Sequence, residues 1–93
     1  MEDWSPHARR RSAQRAVSSE HIDLALEWGL EIRQPGGRLV YHLGFHEARQ
    51  ARDVGVGIPE HAVGVAVVLA PDNSIVTVVR SHNRERLRTY GRR

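Results

Sequence analysis

The spacing of apolar and polar residues predicts two helices at the start of the chain. Ser5 is a suitable cap and Pro6 a suitable first residue for a helix over residues 5–16. After a short break, apolar residues recur at helical spacing from Ile22 to Gly29 and predict a second helix. Gly29 is expected to end this helix in a left-handed turn.

Strand patterns follow the helices. Residues 30–33 alternate in polarity, the turn signal Gln-Pro-Gly-Gly occupies 34–37, and residues 38–43 are expected to return as a hairpin partner. Residues 62–69 are apolar on both faces, which predicts a central strand. A fourth strand is predicted over residues 74–80, after a turn.

The segment between the hairpin and the central strand has a weaker pattern. Residues 46–52 suit a short helix, after which Gly55, Gly57 and Pro59 oppose regular structure. The predicted fold class is α+β, with two N-terminal helices packed on a mostly antiparallel sheet of about four strands. Residues 1–80 are expected to form one domain, and residues 81–93 a basic tail.

The tail contains five Arg residues and His82, whereas Leu87 and Tyr90 are its only large apolar residues. So little apolar surface is not expected to hold a helix tightly against the entropy of ordering the chain. Deletion of residues 84–93 is therefore expected to change thermal stability little. The same deletion is expected to weaken nucleic-acid binding at low salt.

Composition restricts the class of protein. The 93 residues include no Cys, which excludes disulfides and thiolate-bound metals and suits a reducing compartment. No apolar run approaches the ~18 residues that a membrane span needs, and the first residues do not resemble a signal peptide. We expect a cytoplasmic protein without a membrane partner.

The charge pattern favours an anionic partner. The formal net charge is +3, and all 14 basic residues are Arg, a bias that codon usage explains without any phosphate ligand. The placement is more informative, since Arg residues concentrate in 7–15 and 80–93. Four acidic residues are expected to gather on the second predicted helix, namely Glu20, Asp23, Glu27 and Glu31. Separate basic and acidic faces favour nucleic acid or an acidic protein as partner.

The first helix carries the most distinctive chemistry. His7, Arg11 and Arg15 are four residues apart, so they form a row that drifts by only about 40° per step along the helix. They suit a general base or acid and two phosphate-binding cations. A structural interpretation remains open, in which His7 makes a hydrogen bond near the helix start and both Arg residues pair with acidic residues of the second helix.

The same row of residues forms part of a pattern that resembles a known protein family. His7-Ala8-x-x-Arg11-x-x-x-Arg15-x-Val17-Ser18, a second helix and a terminal hairpin with Ile75-Val76-Thr77-Val78-Val79 resemble a family of small uncharacterised bacterial domains. That family is grouped with the barnase–EndoU–colicin–RelE-like superfamily of metal-independent ribonucleases and toxins. The resemblance covers most of residues 5–80, although Ala16 replaces a usual Gly and Ser12 a common Met. It implies a toxin-like ribonuclease that acts on RNA and has an inhibitor or antitoxin-like protein partner.

Metal-free RNA cleavage needs a base for the 2′-hydroxyl, an acid for the leaving oxygen and cations for the phosphorane. His42 is expected beside Val40 on the sheet face opposite Leu39, Tyr41 and Leu43, where an open surface would suit a nuclease. Thr77 is expected on one face with Ile75 and Val79, and the resemblance adds it to the candidates. The predicted catalytic set is therefore His7, Arg11, Arg15, His42 and Thr77, and the predicted substrate-binding set is Arg10, Arg80 and His82.

Other functions have weaker support in the sequence. The pair His42-x-x-x-His46 straddles Gly44, so it is not expected to bind a metal as it would on one helix. The Gly pairs suit turns and not phosphate loops, and no cofactor is indicated. A non-catalytic module that binds nucleic acid or protein remains the alternative, and residues 30–33 are a possible edge strand for self-association.

Overall fold

An antiparallel sheet organises residues 17–88, which are the residues that the computed structural model describes. Its four strands lie in chain order, and each pairs with the next in antiparallel fashion. The elements in order are α1 (Ser19–Trp28), β1 (Leu30–Arg33), β2 (Leu39–His42), α2 (Phe45–Asp53), a 3₁₀ turn (Glu60–Ala62), β3 (Val65–Leu69), β4 (Ile75–Arg80) and α3 (Arg84–Leu87). The predicted α+β class with a sheet of about four strands is confirmed.

Local signals set most of these boundaries. Helix α1 begins after the predicted break, where the Ser18 hydroxyl accepts the N–H of His21 at 3.2 Å. Strand β3 is central and buried throughout, as its sequence predicts. It begins at Val65 and not at residue 62, because Glu60–Ala62 form the 3₁₀ turn and Gly64 has a φ of +97°.

One face of the sheet is covered by α1, α2 and the 3₁₀ turn. Apolar residues of these elements meet those of the two central strands and of β4 in a first core. Its fully buried members include Ile22, Ala25, Leu43, Ala51, Ala62, Val65, Val67 and Val78. Tyr41 packs partly against this core together with Leu39, on the face opposite His42 as predicted, and its hydroxyl donates to Glu31 at 3.0 Å.

The opposite face carries a second, smaller core. It consists of Ile32, Val40, Ala66, Val68, Val79 and Leu87. Leu87 belongs to α3 and is only 1 % exposed, so α3 packs on this face through this one residue. The expectation that Val40 and His42 lie on an open surface is therefore wrong, because residues that the sequence assigns to a loose tail cover it.

Two local expectations are also corrected. Gly29 has a φ of −70°, so α1 does not end in a left-handed turn. Glycine is required there for space, since a Cβ would lie 2.4 Å from the carbonyl oxygen of Ala25. In β4 the register shifts opposite Val68 and Leu69, which places Ile75 in the first core and Val79 in the second. Thr77 therefore does not share a face with Ile75.

The predicted first helix, and with it His7, Arg10, Arg11 and Arg15, lies outside the described residues. The same holds for residues 89–93 of the predicted tail. Within residues 17–88, no helix is both long enough and apolar enough to span a membrane.

Candidate functional site

A pocket of about 350 Å³ lies where β2 ends and α2 begins. The short segment between β4 and α3 forms its other side. Three imidazoles, one guanidinium and one phenyl ring contribute to it, together with a glycine backbone. The lining residues are His42, Gly44, Phe45, His46, His82 and Arg84.

His42 lies at the base of this pocket and is only 2 % exposed. Its Nδ1 accepts the Nε–H of Arg84 at 3.0 Å, since a guanidinium can only donate. The proton of the neutral ring is therefore on Nε2, which donates to the carbonyl oxygen of Ser81 at 2.7 Å. Burial is the main reason why the pKa of His42 is lowered, and the charge of Arg84 adds to this effect.

Arg84 connects His42 to α2. Its guanidinium forms an ion pair with Glu47, a buried carboxylate that also accepts the backbone N–H of Gly44 at 3.2 Å. This second bond caps the start of α2. A Cβ on Gly44 would lie 2.8 Å from Arg84 Nη2 and 3.3 Å from His42 Cε1, so a larger residue would displace the guanidinium from its present position. The Arg84 side chain remains one-third exposed, so part of its guanidinium is accessible to an anion in the pocket.

The pocket wall is an aromatic stack. The rings of Phe45 and His82 are 5.0 Å apart between centroids and inclined by 17°. His82 in turn lies on Gly64, where its Cε1 would be 2.8 Å from any Cβ. The backbone of Gly64 thus supports His82, and His82 supports the exposed ring of Phe45.

The predicted site residues fall into three groups. His42 and His82 are brought together in the pocket, although His42 is buried there and not open to a substrate. Thr77 and Arg80 lie on β4 and do not line the pocket. Since His42 pairs with β3 and Thr77 with the far side of β3, about two strand spacings, roughly 10 Å, separate them across the sheet. His7, Arg10, Arg11 and Arg15 lie outside the described residues.

Sequence reasoning missed Phe45, His46, Glu47 and Arg84, and considered His46 only as a metal ligand. The Gly44-x-x-Glu47 spacing was available as a helix-start signal that places a carboxylate beside the β2 end. The partnership of Glu47 with Arg84 links positions 37 apart in the chain, and no local pattern predicts it.

The arrangement of the pocket residues does not suit a metal, although three of them are histidines. Arg84 occupies Nδ1 of His42, and Ser81 occupies Nε2, so neither nitrogen is available as a ligand. Among residues 17–88, no group of three or more His, Asp or Glu side chains is arranged to hold a metal ion.

Comparisons with protein-family models, with curated proteins and with solved structures find no match to this chain.

Proposed function

We propose that this protein cleaves RNA without a metal ion, at the pocket between β2, α2 and the segment that leads into α3. The observation that carries the proposal is the presence of two exposed imidazoles, His46 and His82, around one pocket with the guanidinium of Arg84. Imidazole serves as base or acid near neutral pH, and a guanidinium suits phosphate oxygens.

The proposed reaction is an internal transesterification. One of His46 and His82 takes the proton of a ribose 2′-hydroxyl, and the resulting oxygen attacks the adjacent phosphorus. The bond from phosphorus to the 5′-oxygen breaks, and the other ring, which enters the reaction as an imidazolium, donates its proton to that oxygen. The products are a 2′,3′-cyclic phosphate and a free 5′-hydroxyl. Arg84 donates hydrogen bonds to the phosphate oxygens as their charge increases.

In this proposal His42 is a positioning residue. Both of its ring nitrogens are engaged, so it holds Arg84 and does not transfer protons to the substrate. Thr77 takes no part because it lies away from the pocket. His7, predicted as a general base or acid, stays in the proposal as a further member of the site, together with Arg11 and Arg15, the predicted phosphate-binding cations.

The test is a cleavage assay on a fluorescent single-stranded RNA in the presence of EDTA. His46→Gln and His82→Gln are each expected to lower the rate at least about 100-fold, as the loss of a general acid or base does. His61→Gln is the matched control, since His61 is an exposed histidine of the 3₁₀ turn and does not line the pocket. Unchanged rates in both pocket variants, or loss of wild-type activity in EDTA, would contradict the proposal.

The ion pair between Arg84 and Glu47 favours a second candidate function, a non-catalytic nucleic-acid-binding module. A guanidinium whose positive charge is already neutralised by a carboxylate stabilises the negative charge of a transition state less than an unpaired guanidinium does. Under this alternative, RNA remains intact on the protein, and its affinity falls steeply with salt as counterions are released.

A further inference from the structure

Phe45 has an exposure that folding does not explain. Its side chain is 70 % exposed although it begins α2, a position that requires no aromatic residue. The core does not use this ring, which contacts instead the imidazole of His82. An exposed aromatic ring beside a guanidinium is the combination with which proteins hold single-stranded nucleic acid, since the bases stack on the ring and the cation meets the backbone.

The ring is also held in place. One face of Phe45 stacks on His82, and the backbone of Gly64 limits how far His82 can retreat. The outer face of Phe45 is therefore presented at a fixed position on the rim of the pocket. A side chain fixed in advance loses little entropy when a flat ligand stacks on it.

We propose that the outer face of Phe45 binds an unpaired nucleobase, so that the pocket selects single-stranded over double-stranded nucleic acid. The inference rests on the proposed function in one respect, namely that the ligand is a nucleic acid. Hydrogen-bonding capacity favours this ligand, because Arg84 lines the same pocket as the ring and its guanidinium, although paired with Glu47, is one-third exposed and suits the phosphate of the same nucleotide. Bases within a duplex are covered on both faces by their neighbours, whereas an unpaired base is free to stack on an aromatic residue.

The test measures binding separately from cleavage. The probe is a fluorescein-labelled mixed-sequence strand with 2′-O-methyl sugars, which cannot undergo transesterification, used alone and annealed to its complement. Fluorescence anisotropy with the full chain gives the Kd of each form. Phe45→Ala and Phe45→Leu are both expected to weaken single-strand binding roughly 5- to 100-fold, while Phe45→Trp retains it.

Val54→Ala is the matched control, since Val54 is an equally exposed apolar residue just beyond the other end of α2. It is expected to leave both Kd values unchanged, and Phe45→Ala is expected to change the duplex Kd less than threefold. Circular dichroism melting shows whether the variants remain folded. Three results would overturn the inference. Wild-type Kd values could be equal for strand and duplex, Phe45→Ala could weaken binding of strand and duplex by the same factor, or Phe45→Leu could bind the strand as tightly as wild type.

These results are independent of whether the protein is an enzyme. Phe45-dependent binding of the uncleavable strand with no cleavage of natural RNA would support the inference and contradict the ribonuclease proposal. Cleavage of natural RNA with no effect of Phe45 substitutions on strand binding would support the ribonuclease proposal and contradict the inference. The exposed ring would then be assigned to contact with a protein partner.

Discussion

Replacement of Leu87 by Ala tests whether α3 belongs to the folded domain. Leu87 is 1 % exposed and contacts the second core, and its carbonyl oxygen accepts the amide N–H of Gln34 at 2.7 Å. The substitution removes buried apolar atoms from the only described element that covers this core, while it leaves the helix propensity of the turn high.

The expected loss is large for a protein of this size. Leu→Ala at a buried position costs about 2–5 kcal/mol. We expect about 2–3 kcal/mol here, since α3 is one turn long and is able to shift into part of the cavity. A protein of 93 residues has a free energy of unfolding of about 5–14 kcal/mol, so the loss is a substantial part of it. It corresponds to a fall in Tm of roughly 10–20 °C.

Urea denaturation followed by far-ultraviolet circular dichroism measures this free energy. Leu30→Ala is the matched control, because Leu30 is 42 % exposed on the edge strand β1, and it is expected to lose less than about 1 kcal/mol. If Leu87→Ala is no more destabilising than Leu30→Ala, then Leu87 is not a core residue. Residues 81–93 would then be the loose tail that the sequence predicts.

Three further predictions concern the pocket and the first predicted helix. The pKa of His42 is lowered by burial, so the unfolded state takes up the proton first. The free energy of unfolding is therefore at its full value above about pH 6.5, and below that pH it falls by up to about 1.4 kcal/mol per pH unit. Urea denaturation at a series of pH values is expected to show a smaller pH dependence for His42→Asn than for wild type. Asn keeps an acceptor for Arg84 but does not titrate. Gly64→Ala is expected to cost about 1–2 kcal/mol through its positive φ and to displace the His82 ring, visible as a shifted imidazole resonance in NMR spectra. His7→Ala and Arg11→Ala are expected to slow RNA cleavage in EDTA, and wild-type rates in both would remove the first helix from the site.

The elements with strong local signals were predictable from the sequence. The Gln-Pro-Gly-Gly turn identifies the β1–β2 hairpin, and the run of buried Val residues identifies β3 as central. The C-terminal element was not predictable in this way. Its single buried residue, Leu87, gives no periodicity, and its burial depends on Ala66 and Val40 in strands far away in the chain.

The candidate site was only partly predictable, because sequence patterns identify residue types but not long-range contacts. Residue chemistry alone nominates His42 and His82, and the structure brings both to one pocket. Their roles depend on tertiary contacts. His42 is buried because α3 covers its face of the sheet, and it accepts from Arg84, a residue that sequence reasoning left in a solvated tail.

The most direct test of the central claim is to identify the ends of the RNA products by mass spectrometry, with EDTA present throughout. Wild-type protein is predicted to yield one fragment that ends in a 2′,3′-cyclic phosphate and another that begins with a 5′-hydroxyl. His82→Gln is predicted to yield neither above background, and His61→Gln to yield both. Products that carry a 5′-phosphate, or identical products from His82→Gln and wild type, would contradict the assignment of the pocket as a metal-independent ribonuclease site.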